Sequence, residues 1–169
     1  MSGLIYNQTK IPKDQLRYGL RSSAAVGCGW IAVYNALVLM GYRAKPEELL
    51  RYFEGMLPLI HGNAGTTIPA PAICLKQMGF GVKVTSDREK FDDLAKDSDV
   101  CILFYRWTKL WKYGAHFVAL EHKDGQFVGY NTYTNSTGPD VYGQSLDAFL
   151  RKKKYFGPVL IGINKKTPQ

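Results

Sequence analysis

The apolar positions of the first half of the chain follow helical spacing, and those of the second half follow strand spacing. Residues 24 to 41 carry no charge, and their apolar side chains fall on every face, which predicts a helix from about Cys28 to Met40 buried on all sides and closed by Gly41. A second helix is expected over 46–55: Pro46 costs nothing at a first helical position, and Glu47 and Glu48 suit the first turn. Residues 56–68, rich in Gly, Pro, Thr and His, read as a loop, and 69–78 as a third helix stopped by Gly79. From there the period shortens. Residues 81–85 alternate, and 100–107 form a nearly continuous run of β-forming residues. Between them Ser86-Asp87-Arg88-Glu89 is a capping box opening a short helix to about Lys96. Residues 116–122 and 127–131 flank Asp124-Gly125, a dipeptide that accepts positive φ, and so form a hairpin. A helix over 145–153 and a strand over 158–164 complete the chain.

Helices first and a mostly antiparallel sheet second is the α+β pattern, here one domain over residues 1–169, with no internal repeat or linker. The uncharged stretch 24–41 is long enough to raise a membrane span, but Gly27, Gly29, Tyr34 and Asn35 interrupt it and no second span exists. A soluble core helix reads the same way. The arm before it, Asn7 to Ser23, is largely polar, and the N-terminus lacks the basic and then apolar sections of a signal peptide.

With 46% hydrophobic and 21% charged residues, the chain can build a core and is not disordered. A net charge of +8 suggests a nucleic-acid partner. The distribution argues against one, because the basic residues are scattered and run together only at 151–154 and 165–166, where solvated helix ends and tails are the simpler reading. Three cysteines, at 28, 74 and 101, form neither a C-x-x-C pair nor an even-numbered disulfide framework. No metal site and a reducing, cytoplasmic setting follow as expectations. Cys74 and Cys101 lie among apolar neighbours and read as core.

Cys28 is different. It stands between Gly27 and Gly29 at the head of the buried helix, where unpaired N–H groups and the helix dipole favour a thiolate nucleophile over an inert thiol. His116 follows in Gly114-Ala115-His116-Phe117-Val118, and Asn131 ends the next strand. Counting outward from Asp124-Gly125 sets Asn131 opposite Val118, diagonal to His116, so its side-chain oxygen could hold the imidazole in one tautomer. Asn135, four residues on, could reach back instead, and His61 in the glycine-rich loop is the reserve base. Trp107, Trp111 and Tyr113 could wall a cleft on one side, and Tyr133 and Tyr142 on the other.

A Cys-Gly pair opening a central helix, a His heading an apolar strand and an Asn ending the following strand, in that order, resemble the papain-like cysteine peptidases, and most of all the peptidases that process double-glycine leaders of bacteriocins. The resemblance covers roughly residues 24 to 150. It implies a papain-like fold, a Cys28–His116–Asn131 triad, an acyl-enzyme and no cofactor. Two departures stand out. The leader-processing relatives usually carry Asp where Asn131 stands, and their oxyanion-hole Gln, about six residues before the Cys, is replaced by Ser22. Gln8 is the favoured substitute and Gln15 the alternative.

The resulting expectation is a thiol hydrolase acting on a peptide or isopeptide bond of a peptide or protein substrate, with no nucleic-acid partner. A cell-wall amidase or endopeptidase or an acyltransferase on the same scaffold, or a binding module that has lost turnover, are the alternatives.

Overall fold

A computed structural model describes residues 3–55 and 65–165. Its centre is a six-stranded antiparallel sheet in the order β3-β8-β4-β5-β6-β7. The strands are β3 (Gly81–Thr85), β4 (Val100–Lys109), β5 (Lys112–Lys123), β6 (Gln126–Tyr130), β7 (Asp140–Gly143) and β8 (Phe156–Asn164). The helices are α1 (Ser23–Val26), α2 (Cys28–Leu39), α3 (Pro46–Gly55), α4 (Ala70–Gln77), α5 (Phe91–Lys96) and α6 (Leu146–Lys153), and a short ribbon of β1 (Arg17–Tyr18) and β2 (Arg21–Ser22) precedes them.

The near-continuous apolar run of β4 is explained by its place in the middle of the sheet, covered on both faces. Ile102 and Phe104 join Phe117, Ala119, Ile161 and Ile163 under α2, α3 and α4. Their alternates, Cys101, Leu103 and Tyr105, pack with Val118, Leu120 and Leu160 under α5 and α6, where Phe91, Leu146, Phe149 and Leu150 close the second core. Helix α2 is buried from Gly29 to Leu37, as its all-round apolar pattern requires. Cys74 and Cys101 are both buried, one in each core, and burial pushes each thiol up to about 12.

The N-terminal arm is fixed to this frame by polar side chains. Asn35, wholly buried in α2, accepts from the Ile5 amide at 2.9 Å and donates to the Ile5 carbonyl at 2.8 Å. This satisfies the one strongly polar group of the helix core and pins an otherwise irregular segment across it. Tyr34 Oη donates to the Gly3 carbonyl at 3.0 Å, and Asn7 Nδ2 donates to the carbonyl of Thr134 at 2.5 Å. The arm therefore bridges the central helix and the turn beyond β6.

The structure departs from the sequence expectation at several points. Asp87, not Ser86, caps the segment after β3, its side chain accepting from the Glu89 N–H at 3.2 Å, and it opens a 3-10 turn at Arg88–Lys90 before α5. The β4–β5 hairpin runs on to a tight turn at Leu110-Trp111, a pair with no turn signature. Strand β7 pairs with β6 although its four residues are too few to show a period. A 3-10 turn at Gln8–Lys10 and the β1–β2 ribbon organise what reads as an irregular arm. The loop expected at 56–68 falls largely outside the described residues.

Candidate active site

Cys28 occupies the first position of α2 and is half-buried. The two glycines beside it are there for space, not for unusual backbone angles. A Cβ on Gly27 would stand 2.6 Å from the Ser23 carbonyl oxygen and 2.7 Å from Trp30 Nε1, which donates to Ser23 Oγ at 3.0 Å. A Cβ on Gly29 would overlap the side chain of Thr66. The Gly-Cys-Gly spacing thus lets two neighbouring elements close around the thiol.

Burial pushes the Cys28 thiol up from its ordinary value, and the nearby backbone N–H groups of Phe117, Gly29 and Cys28 itself, which favour the thiolate, offset only part of that. Phe117 follows His116 directly, so the thiol sits against the strand position next to the imidazole. His116 pairs across the sheet with Tyr105, whose ring meets it edge-on with centroids 6.0 Å apart. Burial pushes the His116 pKa down, opposed by its contact with Asn131. Both shifts favour the neutral thiol and the neutral imidazole, in place of the thiolate expected from the helix dipole alone.

The hairpin register agrees with the count from the turn: Ala119 pairs with Tyr130, which sets Asn131 at the level of Val118. The group that meets His116, however, is not the expected one. His116 Nε2 lies 2.6 Å from the main-chain oxygen of Asn131. A carbonyl only accepts, so Nε2 carries the hydrogen and Nδ1 keeps the lone pair. The reason for the exchange is the backbone: Asn131 has φ +67°, a left-handed conformation that ends β6 and turns its carbonyl inward. Its side chain goes to Gln8, accepting from the Gln8 amide N–H at 2.7 Å and donating to Gln8 Oε1 at 3.0 Å. The expected side-chain contact between Asn131 and His116 is corrected to a main-chain one. Asn135 is exposed on the rim.

Gln8 reaches the site although it stands 20 residues before Cys28. Its Nε2 donates to the Ala24 carbonyl at 3.1 Å, one helical turn before the cysteine. Gln15 is exposed in a turn after Pro12, its amide donating to the Pro12 carbonyl at 3.0 Å. His61 lies outside the described residues.

A cleft of about 780 Å³ opens beside His116. Gln8, Ala24, Asn131 and Tyr133 line one side, and Tyr105, Trp107 and Tyr155 the other. Tyr105 and Tyr155 stack at 4.3 Å, and neither tyrosine belongs to the sequence-stated walls, because aromatic residues in apolar strands carry no mark that separates core from cleft. Trp107 is placed by Gly114, its cross-strand partner: a Cβ there would overlap the indole. Tyr133 is on the lip as expected. Trp111 and Tyr113 are exposed beyond the cleft, and Tyr142 is buried against Phe149. Cys28 itself does not line this cleft; Ala24 and Ala25, on the turn before it, do. The charged side chains on the lining are Lys109, Lys153 and Lys154, with no carboxylate among them.

Among the described residues no cluster of His, Cys, Asp and Glu could hold a metal ion, and no helix is long and apolar enough to cross a membrane.

No protein-family model matches the chain, and no curated protein matches it. Solved structures do. One is the peptidase domain of Streptococcus ComA, described as a bifunctional ABC transporter involved in a quorum-sensing pathway; the match has a TM-score of 0.52 at 12% identity and covers 82% of this chain and 91% of that domain. The mixed helical and antiparallel fold described above is therefore similar to that of a papain-like peptidase domain.

Proposed function

We propose that the protein is a cysteine peptidase that cleaves a peptide or isopeptide bond through Cys28, with His116 as base and acid. The observation that carries this reading is the junction of α2 and β5. A half-buried thiol at the head of the central helix meets the residue next to a histidine whose tautomer is fixed by a backbone carbonyl. The likeness to the ComA peptidase domain supports the fold on which such chemistry is built.

In this mechanism His116 Nδ1 takes the thiol proton as Sγ attacks the substrate carbonyl, then delivers that proton to the leaving amine. Water hydrolyses the thioester and restores the thiol. Because the resting pair is neutral, deprotonation accompanies attack and does not precede it. Asn131 orients the ring through its carbonyl, and Gln8 holds Asn131 in its left-handed turn. The second hydrogen of Gln8 Nε2, beyond the one given to Ala24, and the Cys28 backbone N–H serve as oxyanion donors, a contribution commonly worth about 3 kcal/mol of barrier for each donor. No cofactor takes part.

The three cleft lysines favour a substrate with carboxylates near the scissile bond, and this keeps amide bonds of an anionic cell-wall polymer as the second reading. Incubating the protein with an unbiased peptide mixture and with muropeptides, and reading new termini by mass spectrometry, separates the two. Cleavage of peptides that is absent in Cys28→Ala supports the peptidase. Cleavage confined to muropeptides supports the amidase, and cleavage undiminished in Cys28→Ala contradicts both.

A further inference from the structure

The turn between β4 and β5 is built against its own conformational preference. Lys109 pairs with Lys112, so Leu110 and Trp111 make the whole turn, with φ +45° and +68°. Two-residue turns with both φ positive favour Asn-Gly or Asp-Gly, because a bulky L side chain is strained there. Neither residue recovers that strain by packing: Leu110 is 83% exposed and Trp111 fully exposed. Beside them Tyr113, 63% exposed, touches the exposed Phe156, with ring centroids 6.2 Å apart. The apolar tip thus continues down one side of the hairpin. Strain and exposed apolar area concentrated in one turn mark a segment kept for contact with something outside the fold.

The charges around the tip indicate what that is. Lys109 and Lys112 flank the turn and are exposed, and the whole stretch 100–120 contains Arg106, Lys109 and Lys112 but no Asp or Glu. Lys153 and Lys154, at the end of α6, share a cleft rim with Lys109. The Leu-Trp tip is exposed and flanked by exposed lysines. It suits a surface into which an indole can sit at headgroup depth while flanking lysines stay with phosphates.

We propose that this hairpin tip docks the protein reversibly on an anionic lipid bilayer: Leu110 and Trp111 enter the boundary between headgroups and acyl chains, and Lys109 and Lys112 bind the headgroup phosphates. The docking is independent of the cysteine chemistry proposed above. Two anchoring side chains and a few lysines make the attachment weak and dependent on salt.

The test is flotation of the full chain with phosphatidylglycerol–phosphatidylcholine vesicles, with pure phosphatidylcholine vesicles as the neutral control. The variant is Leu110→Asn with Trp111→Gly, which gives the turn its preferred residues and so keeps the hairpin; a melting temperature at or above that of the wild type verifies this. The expected result is binding to the anionic vesicles that falls at least about 10-fold on neutral vesicles and at least about 10-fold in the double variant. No flotation with anionic vesicles overturns the proposal, as does equal binding to neutral ones. Binding unchanged in the double variant also overturns it, since the affinity then belongs to the general basic surface. A dimer lost in the double variant, with no vesicle binding, would assign the tip to a second copy of the chain instead.

Discussion

His116 and Asn131 meet through the Asn131 main chain: the imidazole Nε2 lies 2.6 Å from the Asn131 carbonyl oxygen, while the Asn131 amide is spent on Gln8. What position 131 supplies is therefore a left-handed backbone first and a side chain second. Asn131→Gly, which accepts φ +67° and keeps the carbonyl, should lower the rate of Cys28 acylation by no more than about 10-fold. Asn131→Ala, strained by about 1 kcal/mol at that φ, should lower it further. A loss on the order of 10⁴-fold in Asn131→Gly, the scale seen when an orienting side chain is removed from a triad, would return the role to the side chain.

In the proposed mechanism Gln8 has two duties, holding Asn131 and offering an N–H to the oxyanion, and two variants separate them. Gln8→Glu keeps an acceptor for Asn131 Nδ2 but loses the donor, whereas Gln8→Ala loses both side-chain groups. Acylation rates should fall about 10² to 10³-fold in Gln8→Glu and at least as far in Gln8→Ala. A Gln8→Glu protein with wild-type acylation would remove Gln8 from the oxyanion site.

Asn35 satisfies both backbone groups of Ile5 inside the core. Asn35→Ala should destabilise the protein by about 2 to 4 kcal/mol, two buried groups at about 1 to 2 each, read as a lower denaturant midpoint with little change in slope. A shift under 1 kcal/mol would mean that the arm is not held by this clamp.

The titration of the site follows from burial. His116 is pushed below its ordinary 6.5, so the neutral ring is the folded form; that contribution to stability is fully present above pH 6.5 and is lost as pH falls through the lowered value. Cys74 and Cys101, pushed up to about 12, behave in the opposite sense: their contribution is intact below pH 9.0 and is lost as pH rises toward 12. Cys28 is also raised, so alkylation by a small reagent such as iodoacetamide should climb through and beyond pH 9.0. Acylation by a substrate-like electrophile, which draws on His116 as base, should level off already below pH 6.5. Iodoacetamide alkylation that is already maximal at pH 6 would instead show a resting thiolate–imidazolium pair.

The elements with a clear period were legible in the sequence. The all-round apolar 24–41 became the buried α2, and Asp124-Gly125 set the β5–β6 register by turn chemistry alone. What escaped depends on contacts between distant segments. Gln8 finds Asn131 across 123 positions, and no local pattern announces that meeting. The left-handed Asn131 was hidden because Asn is common at strand ends in either conformation, and the counting that placed it correctly says nothing about which of its groups faces inward. The state of the Cys28 thiol is hidden from the sequence for a similar reason. The helix start is readable, but the burial that outweighs it comes from packing into a core shared with β5, whose Phe117 stands 89 positions on.

The most direct measurement is peptide mapping by mass spectrometry after reaction at pH 7 with a peptidyl vinyl sulfone, which needs both an accessible nucleophile and its base. The expected result is a single adduct on Cys28, none on Cys74 or Cys101, and at least about 10²-fold slower labelling in a folded His116→Ala protein. No adduct on Cys28, or equal labelling in the wild type and His116→Ala, would contradict the assignment of Cys28 and His116 as nucleophile and base.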